Sequence, residues 1–350
     1  METKDATVKL KMKLNSLFGT VILIFLLLIA IIADMSGFSN LANKKSLVSE
    51  NKLNIPKPKL RKVLSLNSAF YKEDPKLIKY GRELIVNTAT YLGPKGKVAH
   101  ISNGMNCQNC HLEAGTKAWG NNYGAVASTY PKFRERSGTK ETIVKRVNDC
   151  IERSLNGKSL DSLSREMKAI VAYIKFVGQF VPKDTIPKGS GIWKLNFLTR
   201  ATDSERGRLA YEQKCITCHQ QNGEGLMNAN GKTYIYPPLW GKNSFNQGAG
   251  LFRISRMAGY IKVNMPLGAT WEQPQLSDEE AWDIAAFINS QPRPTKDLSK
   301  DWPNIAGKPF DHPFGPYADS FTENQHKYGP FQPIDEYIKV QKKKKESINK

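Results

Sequence analysis

Two short clusters carry the chemistry of this chain. Cys107-Gln108-Asn109-Cys110-His111 and Cys215-Ile216-Thr217-Cys218-His219 both read C-x-x-C-H. That spacing is a haem c attachment site. Its two thiols add to the porphyrin vinyl groups as thioethers, and the adjoining histidine reaches the iron. The chain has 5 cysteines, so the two clusters leave one, Cys150, in Asn148-Asp149-Cys150-Ile151-Glu152-Arg153.

Each haem iron needs a distal ligand or an open position. In the second copy, Met265 lies 46 residues after His219 and 12 before Ser277. A thioether there gives His/Met ligation and a raised potential. Met257 and Lys262 are the alternatives. Met257 falls in an expected helix over 252–261 and suits packing better, whereas Lys262 could bind iron as a neutral amine. By the same ruler, Cys150 lies 39 residues after His111 and 14 before Ser164, the slot that Met265 fills in the second copy. Cys150 is therefore the distal candidate in the first copy, with Met105, His100, Met167, His312 and His326 as rivals. The bland alternative is an inert buried cysteine, but an unpaired thiol in an exported protein invites oxidation. A thiolate on haem lowers the potential and can hold sulfur covalently. Arg134 and Arg136 precede it. If residues 146–154 are helical, Arg146, Cys150 and Ser154 share one face. That combination points to a small anionic substrate, one containing sulfur.

The elements that must position these residues follow from the rest of the sequence. The 350 residues carry a formal net charge of +20 and a hydrophobic fraction of 40%. Length suggests two domains. Lys4, Lys9, Lys11 and Lys13 precede the uncharged, apolar run Leu17 to Ala33, an export signal whose length also suits an uncleaved membrane anchor. Covalent haem attachment likewise belongs outside the cytoplasm, so a periplasmic location is expected, and nucleic acid is disfavoured as a partner. The expected organisation is a signal or anchor over 1–34, a polar tether over 35–66, a first haem domain over 67–185, a linker over 186–200, a second haem domain over 201–296, and an extended tail over 297–350. The run Gln341-Lys342-Lys343-Lys344-Lys345 reads as a solvated, disordered end. Asp74-Pro75 caps a helix, and apolar spacing marks another over 164–181. Thr202-Asp203 and the Ser277/Glu280 capping box open their counterparts in the second half. Gly81-Arg82 and Gly207-Arg208 echo each other. The fold class is all-α: two cytochrome c-like domains, each built around one covalently attached haem c.

The stretch Asn106-Cys107-Gln108-Asn109-Cys110-His111-Leu112, followed by Val147-Asn148-Asp149-Cys150-Ile151-Glu152-Arg153-Ser154-Leu155-Asn156-Gly157, resembles the dihaem cytochrome c thiosulfate dehydrogenases. So does the tail Gly307-Lys308-Pro309-Phe310-Asp311-His312-Pro313-Phe314-Gly315-Pro316-Tyr317-Ala318-Asp319 with Gln325-His326-Lys327-Tyr328-Gly329-Pro330-Phe331. The resemblance implies oxidation of two thiosulfates to tetrathionate; the reverse direction stays open. It implies that His111 and Cys150 ligate the active-site haem, His219 and Met265 the electron-exit haem, and that Arg136, Arg146 and Ser154 hold the substrate. It also implies an electron-accepting cytochrome or membrane redox partner. The anion requirement agrees with simple electrostatics. Two thiosulfate dianions about 5 Å apart repel by on the order of 13 kcal/mol at an effective dielectric of ~20. The alternatives are a non-catalytic dihaem electron-transfer cytochrome, a carrier-linked sulfur-oxidising cytochrome and a dihaem peroxidase.

Overall fold

Helical structure begins where the sequence places its first cap. In the computed structural model, which describes residues 74–348, the Asp74 side chain accepts from the Lys76 backbone N–H at 2.9 Å and opens α1, Pro75–Val86. The described residues belong to one compact unit, Ser65–Lys350. The expected anchor over 1–34 and tether over 35–66 lie outside the described residues. Among the described residues no helix is long and apolar enough to cross a membrane.

The first half continues with α2, Ile143–Arg153, and α3, Arg165–Val177, the latter capped by Ser164 through the Met167 N–H. α1 buries Ile78, Leu84 and Ile85 against α3, which buries Met167, Ile170, Tyr173 and Ile174. Full burial of one such aliphatic chain is worth roughly 1.5–3 kcal/mol. The helices touch closely at Gly81, where an added Cβ would lie 1.9 Å from the Ala169 carbonyl oxygen. The second half repeats the design. α4 (Ser204–Lys214) is capped by Asp203, α5 spans Ile254–Asn264, and α6 (Asp278–Ser290) opens on the reciprocal Ser277/Glu280 capping box. Gly207 of α4 meets the Asp283 carbonyl of α6, and a Cβ there would again sit 1.9 Å away. The repeated Gly-Arg pairs therefore mark the two positions where only hydrogen fits between crossing helices.

Among the described residues, three small antiparallel ribbons modify the all-α expectation. β1 (Gly120–Asn122) pairs with β4 (Gly191–Ile192), β2 (Lys132–Arg134) with β3 (Thr139–Glu141), and β5 (Leu226–Met227) with β6 (Tyr234–Tyr236). β4 lies inside the stretch expected to be a linker, so its pairing fastens that stretch to the first half. The turn between β2 and β3 contains Gly138 at φ +64°, a left-handed conformation that suits glycine.

The tail departs most from expectation. It is not extended to its end: α7 spans Glu323–Tyr328 and α8 spans Gln332–Ile348, so the lysine run 341–345 is helical rather than disordered. Phe331 and Ile334, 3% and 0% exposed, anchor the start of α8, while Lys342 and Lys344 stay in water. Ahead of these helices the tail straps both halves. Asp301 accepts two bonds from Arg153 at 2.8 Å each, and the Trp302 N–H donates to the Arg136 carbonyl at 2.7 Å. Phe310 and Phe331 pack with Phe197, and Phe331 with Trp282 of α6.

The halves also bond directly. Tyr260 of α5 donates to the Asn109 carbonyl inside the first C-x-x-C-H at 3.0 Å, and the Asn246 amide donates to Glu152 and Asn156 at the end of α2. Trp193 lies against both Trp119 and Trp271, with centroids 5.2 and 6.3 Å away.

Candidate functional site

Both C-x-x-C-H segments make the tight turn that brings the histidine back beside its cysteines. The His111 N–H donates to Cys107 O at 2.9 Å and the His219 N–H to Cys215 O at 3.0 Å. None of the five cysteines is in a disulfide, and all are half-buried. Burial pushes His111 down to about 4, aided by the Arg146 charge and opposed by a bond to Asn121 O. It lowers His219 too, against the bond to Pro237 O. Both imidazoles are therefore neutral at neutral pH, the form that ligates a metal. In each, Nδ1 sits against a backbone carbonyl, Asn121 O at 2.7 Å and Pro237 O at 2.9 Å. That contact fixes the tautomer and leaves Nε2 for iron. In His111, Nε2 has only a long contact, 3.3 Å, with the Asn121 amide. Tyr123 stacks on His111 at 4.4 Å. The donor sets thus fit two haem c groups, and Asn121 and Pro237 are supporting residues that the sequence did not single out.

α2 carries the candidate chemistry. Thr142 caps its N-terminus, and the helix closes with the Ser154 N–H on Cys150 O at 2.8 Å. Arg146, Cys150 and Ser154 follow at successive turns, as their four-residue spacing requires. Cys150 stands near Cys107, Cys110, Tyr123 and Arg146, close enough for its charge to act on each. That charge is the largest influence on Arg146 and raises the guanidinium above its ordinary value, against burial. Arg146 makes no side-chain hydrogen bond or ion pair among the described residues. Arg136 is placed differently. It donates to Gly248 O at 2.6 Å, lies over the Trp302 ring at 4.8 Å, and faces Asp301 at 4.0 Å. Burial and the Arg153 charge push it down to about 9, with Asp301 opposing.

The remaining sequence candidates sort cleanly. Met265 forms the C-cap of α5, half-buried, while Met257 is 3% exposed in the core. Lys262 is committed to Asp278 at 2.6 Å and to Leu276 O. In the first half, Met105 and Met167 are core residues at 2% and 0% exposure, and His100 contacts only its neighbour Gly96 O. His312 and His326 are buried within the tail, against Phe314 O and against Phe310 O with Asp319. Arg256, on α5, was overlooked. It is exposed, yet its charge acts with those of Lys132, Arg134 and Arg146.

Two haem c attachment sites on a repeated helical plan define a dihaem c-type cytochrome. A cytochrome c domain described as "SoxA/TsdA" matches residues 97–182, and a general cytochrome c domain matches 204–292. The chain is 40% identical over 224 residues to a thiosulfate dehydrogenase of Psychrobacter arcticus, covering 64% of this chain and 66% of that one. It is 39% identical over 218 residues to a thiosulfate dehydrogenase of Allochromatium vinosum, covering 61% of this chain and 79% of that one. A solved thiosulfate dehydrogenase (TsdBA) from Marichromatium purpuratum, in its as-isolated form, superposes with a TM-score of 0.59 at 30% identity, covering 65% of this chain and 48% of that one. The chain belongs to the thiosulfate dehydrogenase family and carries two covalently bound haem c groups.

Proposed function

We propose that this chain joins two thiosulfates into tetrathionate, releasing two electrons, with the reverse reaction available under a reducing partner. The observation that carries the reading is the α2 face. Cys150 stands beside the thiols of the first haem site, and Arg146, one turn away under the influence of the Cys150 charge, makes no side-chain hydrogen bond or ion pair among the described residues. A family relationship to thiosulfate dehydrogenases supports the substrate.

In this reading His111 and Cys150 hold the first haem, and His219 and Met265 the second. Once bound, the haems supply one-electron redox chemistry, one electron each. The protein's own residues do the rest. Arg146 offers its planar fork to a sulfonate, a charge-assisted pairing stronger than a neutral hydrogen bond. Ser154 adds a hydroxyl donor from the same face. Arg136, fixed by Gly248 O and Trp302, keeps further N–H groups for the substrate. Cys150 forms an Sγ–S bond to the sulfane sulfur of one thiosulfate, as the thiolate and that sulfur each give up one electron. The sulfane of a second thiosulfate then attacks the first thiosulfate's sulfane. The new S–S bond forms as the Sγ–S bond breaks, and tetrathionate leaves with Cys150 again a thiolate. His219 and Met265 serve electron exit to a carrier cytochrome or membrane redox partner. Residues 17–33 serve export to the periplasm, as a signal or an anchor. The test is product stoichiometry with a one-electron acceptor. Two acceptors reduced per tetrathionate formed supports the reading; haem reduction without tetrathionate refutes it.

A further inference from the structure

α5 presents one face to the first half: Tyr260 is bonded to Asn109 O within the first C-x-x-C-H, and Gly259 packs under the Trp193 carbonyl, where an added Cβ would lie 2.0 Å away. One turn before Tyr260, on the same face, stands Arg256. Its backbone is fixed from the other side as well, because Asp311 of the tail holds Arg253 at 2.7 Å and the Ser255 N–H at 3.1 Å. The Arg256 side chain itself is exposed and makes no side-chain hydrogen bond or ion pair among the described residues. A held backbone with an unspent guanidinium suits an anion that is not part of the protein.

The surroundings agree. Lys132 and Arg134 on β2, and Arg146 on α2, act on one another and on Arg256 through their charges. Glu141 opposes the Lys132 charge, but it is bound to Arg134 at 4.0 Å. Asp311 is taken by Arg253 and Ser255, and Asp149, which acts on Arg146, is paired with Lys145. Four cations drawn from both halves thus face one region with little acidic compensation. Such crowding costs stability unless an anion arrives.

Joining two thiosulfates needs two sulfonate positions, and Arg146 beside Cys150 accounts for one. We propose that Arg256, supplied by the second half, binds the second sulfonate, so that the substrate site is completed only across the contact between the halves. Lys132 and Arg134 support it from β2. This rests on the reading that the chain couples thiosulfates at Cys150.

The test is steady-state kinetics of the haem-loaded protein with thiosulfate, and with tetrathionate in the reducing direction, for wild type, Arg256→Gln and Arg256→Lys. Losing one charge-assisted bond should raise the half-saturating concentration of both substrates about 10- to 100-fold, with kcat changed far less. The slope of log(kcat/KM) against log salt should become shallower. Arg256→Lys should recover part of the loss. A merely structural arginine would lower the thermal midpoint and alter the haem spectrum, without a selective rise in KM. Half-saturation within two-fold of wild type, in a variant with native haem spectra, overturns the proposal. Should Arg256→Gln fail to fold, the KM and salt slope of Arg256→Lys decide. If the wild type itself neither consumes thiosulfate nor reduces tetrathionate, the underlying reading fails instead.

Discussion

Asp311→Asn should be among the most damaging changes outside the haem sites. Asp311 lies in the tail, 1% exposed, and its carboxylate accepts from Arg253 Nε at 2.7 Å and from the Ser255 N–H at 3.1 Å and hydroxyl at 2.5 Å. Ser255 is in the first turn of α5, and the preceding cap residue, Arg253, makes no side-chain cap of its own. The tail therefore supplies the cap from more than fifty residues away. Breaking a buried ion pair from one side costs about 3–5 kcal/mol. Asparagine keeps one oxygen acceptor, and Arg253 retains some solvent, so the lower end, about 3 kcal/mol, is expected. At 2–4 °C per kcal/mol for a unit of this size, the midpoint should fall by about 6–12 °C. The assay is thermal denaturation of the haem-loaded protein, with Arg253→Gln and the double variant completing a cycle. Coupling should reach about 1–3 kcal/mol. The pH dependence has a definite sign. Burial raises this carboxyl, but Arg253 and the Ser255 bonds outweigh it and hold it below the ordinary value. Its contribution is thus full above the unfolded value near 3.9 and is lost as pH falls through the lower folded value. A midpoint change under about 2 °C, or strict additivity with Arg253→Gln, refutes the reasoning.

Further expectations follow from the same geometry. Gly81→Ala and Gly207→Ala each force a methyl to within 1.9 Å of a carbonyl oxygen; each should cost about 1–3 kcal/mol by overpacking despite the better helix propensity, read as midpoint shifts. His312, 4% exposed, is pushed by burial down to about 4. The unfolded chain takes up a proton below about pH 6.5 and the folded one does not, so His312 removes about 3 kcal/mol of stability between pH 6.5 and 4. His312→Phe should flatten that limb in denaturant titrations; an unchanged limb contradicts it. Arg146→Gln should lower kcat/KM for thiosulfate about 10- to 100-fold by loss of a charge-assisted bond, and unchanged kinetics would remove Arg146 from the site.

What could be read before the structure was whatever depends on local spacing. The C-x-x-C-H turns, the Asp74, Ser164, Asp203 and Ser277 caps, and the shared face of Arg146, Cys150 and Ser154 are set within a few residues, and the structure contains them. The Gly-Arg echo was visible as a repeat, but its cause, two helix crossings without room for a Cβ, is tertiary. What stayed hidden depends on partners distant in sequence. Nothing near Arg136 announces Trp302 and Gly248, and nothing near Ser255 announces Asp311. The lysines at 341–345 read as a solvated end because charge runs usually are; a helix seeded by buried Phe331 and Ile334 carries them instead. Arg256 escaped notice because its meaning comes from cations on β2 and α2.

The central claim is that sulfur chemistry occurs at Cys150 rather than electron transfer alone passing through the chain. Its most direct test is thiosulfate-dependent reduction of the haems in the purified haem-loaded protein, wild type against Cys150→Gly, both shown by spectra to retain two covalently bound haems. The account predicts haem reduction with tetrathionate formation in the wild type, and loss of both in the variant even though chemical reductants still reduce its haems. Full thiosulfate turnover by Cys150→Gly would contradict it.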